Sequence, residues 1–292
     1  MANSTPSPAL LTTEDINQFK KDGWCIPKGF ILQMDELKLL HSALTSLLES
    51  NPDVPPEKLV DAHLAKNKVP VESQPVLAGD GETFLKVGSN KTLCNIASLL
   101  LDTENIFLWG CHIFCKPGEH GKRVPWHQDA PYWPIEPMRA VTLWVALDDS
   151  DVNNGCLRVI PGSHLGLEFK HCEVQDENAA LEAGIAESCE IDDQQQYRKF
   201  NELAVPVKLK AGQVSAHNPQ LVHGSLQNKS KRRRAGITYL YMAAESHFNR
   251  ANLKPASAGY GYESRPLYWV RGNQYNEKNA IVRDIRHLSQ TA

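Results

Sequence analysis

The sequence lacks a surplus of charge of either sign. Its 292 residues include 31 Lys and Arg against 34 Asp and Glu, which gives a formal net charge of -3 at pH 7. Proteins that bind nucleic acid carry a basic surface that neutralises phosphates. The charge balance therefore disfavours nucleic acid as a partner and leaves small molecules as the expected class.

The sequence also lacks the cysteine pattern of a disulfide framework. Its seven cysteines are scattered, and they are Cys25, Cys94, Cys111, Cys115, Cys156, Cys172 and Cys189. Disulfide frameworks belong to short secreted chains with an even, closely spaced set of cysteines. The pattern is typical of a protein from a reducing compartment.

Long apolar runs and targeting signals are missing as well. No run approaches the roughly 20 apolar residues of a membrane-spanning helix, so no membrane association is expected. Residues 1–8 lack the basic and apolar stretches of a signal peptide, and residues 289–292 are not a peroxisomal tripeptide. We therefore expect a cytoplasmic protein.

The first hundred residues carry helical patterns. Thr12, followed by Glu14 and Asp15, predicts a helix start with a capping residue and early acids. The segment from Trp24 to Ile31 is apolar and strand-like. Residues 32–48 place leucines at helical spacing, and such a stripe needs a surface to cover. That surface is either the rest of this chain or a partner, so a homodimer stays open.

From residue 105 onward, short apolar runs alternate with Pro, Gly and Asn. The runs are residues 106–115, 140–147, 156–160, 205–209, 213–216 and 236–243. This spacing is typical of an antiparallel barrel or sandwich of the jelly-roll type. The polar, acidic stretch between these runs indicates a solvated insertion or a mobile lid.

We interpret residues 1–292 as a single domain, because a chain of this length with 41% hydrophobic residues fits one elaborated domain. It divides into a mostly helical flank, a barrel core with a polar insertion, and a C-terminal extension. These regions are residues 1–104, residues 105–245 with the insertion at about 165–204, and residues 246–292.

His127 and Asp129 are candidate metal ligands. In an extended chain residues i and i+2 face the same side, so both side chains can reach one ion. With a second, distant histidine they form a 2-His-1-carboxylate set, which suits Fe(II) and leaves coordination positions open. Zn(II) and Mn(II) accept the same donors.

Two histidines, His217 and His223, are candidates for the distant ligand. Arg234 follows His223 by eleven residues and opens an apolar strand, whereas no arginine stands at that distance from His217. A guanidinium pairs bidentately with a carboxylate. Arg234 shares a strand face with Gly236 and Thr238, which predicts room for a ligand beneath it. The pattern favours His223, with Arg234 as the anchor of a dicarboxylate.

These residues belong to a longer series of motifs. The motifs are Trp126-His127-Gln128-Asp129, Val141 to Leu147, Asn154 to His164, His223-Gly224-Ser225 and Arg234. Over roughly residues 105–245 they resemble the phytanoyl-CoA dioxygenase family of non-haem Fe(II)- and 2-oxoglutarate-dependent oxygenases. One departure is Gly212-Gln213, where the family usually has Gly-Asp, and we expect this pair to serve a turn.

The resemblance implies a fold and a set of cofactors. The fold is mainly β with flanking helices, a double-stranded β-helix or cupin-like jelly-roll barrel. The cofactors are Fe(II), 2-oxoglutarate as co-substrate, and dioxygen. His127, Asp129 and His223 would be the catalytic iron ligands, and Arg234 would bind the distal carboxylate of 2-oxoglutarate.

The resemblance also suggests further contacts. Gln128, Trp144 and Ser225 would line the co-substrate, with core packing as the alternative for Trp144. Independently of the resemblance, Tyr132 and Trp133 lie on the loop just after His127 and Asp129 and are expected to contact the substrate, with a hydrophobic plug over the barrel mouth as the alternative.

The activity implied is oxidation, foremost hydroxylation, of a small molecule with release of succinate and CO2. Desaturation, cyclisation and endoperoxidation at the same site are alternatives, as are a cupin-type Zn enzyme and a non-catalytic barrel module. No Lys-rich patch suits the phosphates of coenzyme A. We therefore expect a free small-molecule substrate and hypothesise a role in specialised-metabolite biosynthesis.

Replacing the carboxylate ligand provides a first test. Asp129→Ala is expected to abolish substrate oxidation because it removes one of three metal ligands, and mass spectrometry of the product measures the loss. Product formation at the wild-type rate would contradict the assignment of Asp129.

Overall fold

A computed structural model describes most of the chain, and the helices of its first part precede the main β-structure. The described residues are 10–53, 56, 80–166, 168–174, 176–181, 183–185, 199–253 and 261–290. The longer helices are α1 (Thr13–Asp22), α2 (Met34–Glu49), α3 (Asp80–Gly88) and α4 (Lys91–Leu101).

The strands begin beside α1 and continue to the C-terminal part of the chain. They are β1 (Trp24–Cys25), β2 (Ile106–Lys116), β3 (Val124–His127), β4 (Ile135–Glu136), β5 (Ala140–Ala146), β6 (Leu157–Val159), β7 (His171–Glu173), β8 (Ala183–Ile185), β9 (Val205–Val207), β10 (Val214–His217), β11 (His223–Ser225), β12 (Arg234–Ala243), β13 (His247–Phe248), β14 (Leu267–Arg271) and β15 (Val282–Asp284).

Two sheets form the body of the fold. The larger has the order β1-β10-β5-β12-β2-β14-β15 and the smaller the order β3-β11-β6-β9. Pairing is antiparallel throughout both sheets except between β14 and β15, which run parallel. Along the chain, β2, β5, β10 and β12 of the larger sheet alternate with β3, β6 and β11 of the smaller one. This repeated crossing is the winding of a jelly roll, and it confirms the predicted fold class.

The long strand β12 shows why some apolar runs of the sequence have no alternating polar residues. Its alternate residues Ile237, Tyr239 and Tyr241 belong to the cluster that includes the helices. Leu240 and Met242 belong to a second cluster on the opposite face. A strand covered on both sides reads as a continuous apolar run, so the larger sheet can hold helices outside and a site inside.

The leucine stripe of α2 covers this sheet. Leu40 and Leu44 are fully buried, Leu37 is 8% exposed, and all three share one cluster with residues of β5 and β12. His41 of the same helix hydrogen-bonds to the backbone oxygen of Leu147, with 2.8 Å between Nε2 and O. The stripe therefore packs on its own chain and not on a partner, the two surfaces that the sequence left open for it.

The predicted start of α1 is confirmed, whereas the strand after it is much shorter than predicted. Thr12 accepts from the backbone of Asp15 and the Asp15 side chain accepts from Thr12 in a capping box. The following strand ends at Cys25 because Pro27 cannot donate to a ladder and a turn follows, in which the Phe30 amide donates to the Pro27 oxygen.

Strands from outside residues 105–245 also join the larger sheet. β1 pairs with β10 at one edge, and β14 pairs with β2 toward the other. The run Leu267–Arg271 was not among the predicted strands, although it is apolar and bounded by turn residues. The helical flank and the C-terminal extension thus each contribute to the sheet.

The polar insertion is partly ordered. β7 and β8 form a hairpin, and β8 lies against β3: a Cβ placed on Gly184 would come 2.8 Å from Pro125. This contact corrects the expectation of a wholly solvated segment. The interpretation as a lid falls largely on residues 186–198, which lie outside the described residues.

The cysteines only partly follow the expected pattern. Cys25, Cys94, Cys111, Cys115 and Cys156 are free and buried, as a chain without a disulfide framework should have them. Cys172 of β7, however, is disulfide-bonded. Within the described ranges, no helix has both the length and the apolar content needed to cross a membrane.

Neighbouring leucines of α2 test the packing of the helical layer. Leu40→Ala should lower the free energy of unfolding by about 2–5 kcal/mol because it empties a fully buried site. Leu39→Ala is the matched control, since Leu39 is 50% exposed and its loss should cost about 0.5 kcal/mol or less. Urea unfolding measures both, and equal losses would contradict the packing described.

Candidate metal centre

The register between β3 and β11 brings two histidines together. His127 ends β3, His223 opens β11, and the two are direct antiparallel partners. Their ring centroids are 4.1 Å apart, and both side chains are buried. Residues that are directly opposite on one face of an antiparallel pair are in side-chain contact, so the pairing itself creates the two-histidine face.

Asp129 completes the cluster from just beyond β3. Its backbone amide donates to the Pro219 oxygen at 2.8 Å, which fixes the chain where it enters a short 3-10 helix, Ala130–Tyr132. Asp129 Oδ1 lies 3.6 Å from His127 Nε2 and 3.9 Å from His223 Nε2. One donor atom from each of the three residues lies within 4.8 Å of the others, as a shared metal ion requires.

The outer ring nitrogens set the tautomers of the two histidines. His127 Nδ1 lies 2.9 Å from the Pro125 oxygen, and His223 Nδ1 lies 2.9 Å from the Leu221 oxygen. A carbonyl oxygen can only accept, so each Nδ1 carries the proton and donates it. The Nε2 lone pairs are thereby left for a metal, which is the usual arrangement of metal-bound histidines.

Burial and the neighbouring groups together set the protonation of the three residues. Burial lowers the pKa of His127, and it lowers the pKa of His223 well below the ordinary value. For Asp129, burial alone would raise the pKa, but the nearby His223, His217 and His127 outweigh it and lower the pKa. The histidines are thus neutral and the carboxylate ionised at neutral pH, the states in which they bind a cation.

All three residues line one cavity. Of the residues predicted to contact co-substrate or substrate, four line it: Trp133, Trp144, Ser225 and Arg234. Other residues line it as well, among them His112, Phe114, Thr142, Thr238 and Leu240. The sequence pattern placed Thr238 on the ligand-facing side of Arg234 and assigned no role to the other four. These occupy alternate positions of β2, β5 and β12, so period-two alternation could have found them once one inward residue of each strand was known.

Arg234 supplies a buried cation on the cavity wall. It opens β12, is 3% exposed, and burial lowers its pKa to about 10, so it stays charged at neutral pH. Its Nε has no hydrogen-bond partner among the residues that the structure describes. A buried guanidinium with an unused donor fits an anionic ligand.

Gly236 has a different role from the one expected. The space above it is filled by Trp144, because a Cβ on Gly236 would lie only 2.0 Å from Trp144 Cζ2. The indole lies with its ring centroid 5.5 Å from the Arg234 guanidinium carbon. Gly236 therefore makes room for a tryptophan that forms the cavity wall, which corrects the expectation of ligand space there.

Lys116 adds a second buried cation beside Arg234. The two residues are cross-strand partners in β2 and β12. Lys116 Nζ donates to Ser225 Oγ at 2.7 Å and is only 2% exposed as a residue. The predicted contact residue Ser225 is thereby held at the cavity by a lysine that the sequence interpretation overlooked.

Gln128 and Tyr132 have their described contacts elsewhere. The Gln128 side chain donates to the Gln220 oxygen at 2.6 Å and accepts from the Phe169 amide at 2.8 Å. The Tyr132 ring packs edge-on against His171 with 5.2 Å between centroids. Neither lines the cavity. Adjacent residues of an extended segment face opposite sides, so Gln128 is turned away from its metal-binding neighbours.

Comparison with known proteins agrees with this geometry. The model of the phytanoyl-CoA dioxygenase (PhyH) family matches residues 19–236, well over half of the chain. The chain belongs to the phytanoyl-CoA dioxygenase family. This is a family of Fe(II)- and 2-oxoglutarate-dependent oxygenases, so the predicted family membership is confirmed.

Similar members of the family differ in what their names say they oxidise. Peroxisomal phytanoyl-CoA dioxygenase of Bos taurus is 32% identical over 166 residues, which span 53% of this chain and 46% of that protein. The chain thus spans about half the length of this curated relative. Ectoine dioxygenase of Stutzerimonas stutzeri is 24% identical over 281 residues, which span 91% of this chain and 89% of that protein.

A solved structure shows the same fold. The epimerase SnoN, in complex with Fe3+, alpha ketoglutarate and nogalamycin RO, superposes with a TM-score of 0.61 at 20% identity. The match covers 91% of this chain and 96% of that one. At this identity the likeness supports the jelly-roll fold alone.

Gly236→Ala tests the packing of Trp144. The added methyl group should destabilise the protein by about 1–3 kcal/mol, because the indole has to move within a packed core. Gly166→Ala is the control, since a Cβ there would come no closer than 3.4 Å to Ser163 O. If both variants unfold at the same urea concentration, the tight Gly236–Trp144 contact is not present in solution.

Proposed function

We propose that the protein is an Fe(II)- and 2-oxoglutarate-dependent dioxygenase that oxidises a free small molecule, foremost by hydroxylation, with release of succinate and CO2. One observation carries the proposal. The three converging donors of His127, Asp129 and His223 and the buried cation of Arg234 line the same cavity.

Each residue has a role in this proposal. His127, Asp129 and His223 hold the metal, and Arg234 binds the distal carboxylate of 2-oxoglutarate. An ion pair at a buried arginine is strengthened by the low local dielectric. Bound iron together with 2-oxoglutarate supplies the power to oxidise a carbon centre with dioxygen. Phe114, Leu240 and other apolar lining residues exclude water from that chemistry.

A free small molecule is favoured over an acyl-CoA as the substrate. Arg234 is the one Lys or Arg among the described residues that line the cavity, and the proposal already assigns it to the co-substrate. The ectoine dioxygenase that matches most of the chain is named for ectoine and not for an acyl-CoA. We extend this to a substrate from specialised metabolism, in keeping with the nogalamycin compound bound to SnoN.

The reaction outcome depends on how the substrate is held. Trp133 lines the cavity and is the leading candidate for a substrate contact, although it also packs edge-on against Trp109, with 4.7 Å between ring centroids. Desaturation, cyclisation and endoperoxidation would use the same metal ligands. They would differ from hydroxylation in how the substrate is placed in the cavity. In this proposal Gln128 and Tyr132 support the site indirectly, because they hold in place the segments that they contact.

The proposal also covers the domain organisation and the cellular location of the protein. We propose a single domain over residues 1–292 and a cytoplasmic location. The buried free cysteines favour that location, whereas the disulfide at Cys172 does not. The leucine stripe is used within the chain, so it no longer argues for a homodimer.

Anaerobic titration tests the proposed function. Adding Fe(II) and then 2-oxoglutarate to the metal-free protein should produce a visible charge-transfer band. Arg234→Ala should weaken the affinity for 2-oxoglutarate by about 30-fold or more, because truncating one partner of a buried charge pair costs about 2 kcal/mol or more. Arg232→Ala is the matched control, since Arg232 forms an exposed ion pair with Asp151 and should titrate like wild type.

The titration separates the other classes as well. Folded protein that gives no band would instead favour a Zn enzyme or a non-catalytic barrel. A band with unchanged affinity in Arg234→Ala would keep the metal site and contradict the role of Arg234.

A further inference from the structure

His217 lies beside the proposed metal ligands without being one of them. It ends β10, opposite Thr142 of β5, and is 2% exposed. Its ring centroid is 4.6 Å from that of His223, and its Nε2 is 3.8 Å from Asp129 Oδ2. Its imidazole thus reaches the carboxylate from the larger sheet, whereas His127 and His223 belong to the smaller one.

The two oxygens of Asp129 have different neighbours. Oδ1 lies 3.6 Å from His127 Nε2 and 3.9 Å from His223 Nε2. Oδ2 faces the other way, 3.5 Å from Thr142 Oγ1 and 3.8 Å from His217 Nε2. Oδ1 is therefore the oxygen turned toward the metal, and Oδ2 is the oxygen turned toward the larger sheet.

The polar atoms of His217 are not used by the fold. Neither ring nitrogen has a hydrogen-bond partner in the part of the chain that the structure describes. His127 and His223, in contrast, each bond a backbone oxygen through Nδ1. A buried polar group without a partner costs about 1–3 kcal/mol, so a purely structural position would be better filled by an apolar ring.

We propose that His217 is a positioning residue that donates from Nε2 to Asp129 Oδ2, so that Asp129 binds the metal through Oδ1 alone. The present 3.8 Å is longer than a hydrogen bond, and the bond forms by a small movement of the carboxylate when the site is loaded. One-oxygen binding leaves more coordination positions for co-substrate and dioxygen. The inference rests on the metal site of the proposed function.

Zn(II) affinity, measured by competition with a chromophoric chelator, tests this role without any need for substrate. His217→Phe keeps a ring but removes the donor, and should weaken Zn(II) binding by about 10–100-fold. His217→Gln keeps a donor and should stay within about threefold of wild type, because the amide N–H replaces the imidazole N–H. The metal-free His217→Phe protein should melt no earlier than wild type, since it loses only an unbonded polar group.

A double-variant cycle shows whether His217 acts through Asp129. In an Asp129→Ala background, His217→Phe should cause no further loss of Zn(II) affinity. A further loss would make His217 a direct ligand and overturn the positioning role. Equal Zn(II) affinities of wild type and His217→Phe, or equal losses in the Phe and Gln variants, would also overturn it.

The outcome for the wild-type protein separates this inference from the proposed function. If wild-type protein binds no Zn(II), the metal site itself is wrong and both proposals fall. If wild type binds and only the pattern among the His217 variants fails, the metal site stands and the positioning role falls.

Discussion

The pairing of β3 with β11 is the constraint on which the site depends. It sets His127 opposite His223, and Asp129 follows two residues later on the same chain. A slip of one residue in either strand would turn one imidazole to the opposite face of the sheet, because side chains alternate along a strand. The proposed metal site thus depends on strand register, and the hydrogen bonds from Nδ1 to Pro125 and Leu221 orient the two rings.

The larger sheet supplies the rest of the site. Arg234 and Trp144 come from β12 and β5, and Gly236 leaves the space that the Trp144 indole occupies near Arg234. Because the helices cover the opposite face of this sheet, Arg234 lies in a poorly hydrated interior, and Asp129 lines the same cavity. The anionic carboxylate suits a metal cation and the guanidinium suits a carboxylate. The cavity therefore presents complementary charges to two different ligands.

The proposed metal ligands could be identified from the sequence because their chemistry is local or is tied to a motif. His127 and Asp129 are two residues apart, and the spacing to Arg234 selected His223 over His217. The jelly-roll class followed from short apolar runs, and the helix start at Thr12 from a capping pattern. In each case the signal is a pattern along the sequence that does not depend on which strands pair.

Features that depend on contacts between distant strands could not be predicted in this way. The contact of Trp144 with Gly236, the Lys116 bond to Ser225, and the approach of His217 to Asp129 all require the register of strands far apart in sequence. The sequence pattern also treated His217 and His223 as rivals for one role. The structure brings both to Asp129, one on each of its oxygens.

An anaerobic crystal structure with Mn(II) and 2-oxoglutarate would show directly whether the proposed metal and co-substrate sites exist. Anomalous scattering locates the manganese without reference to the protein chain. Manganese is expected to be bound by His127 Nε2, Asp129 Oδ1 and His223 Nε2, with the distal carboxylate of 2-oxoglutarate at Arg234. Manganese at other residues, or 2-oxoglutarate bound away from Arg234, would contradict the proposed sites.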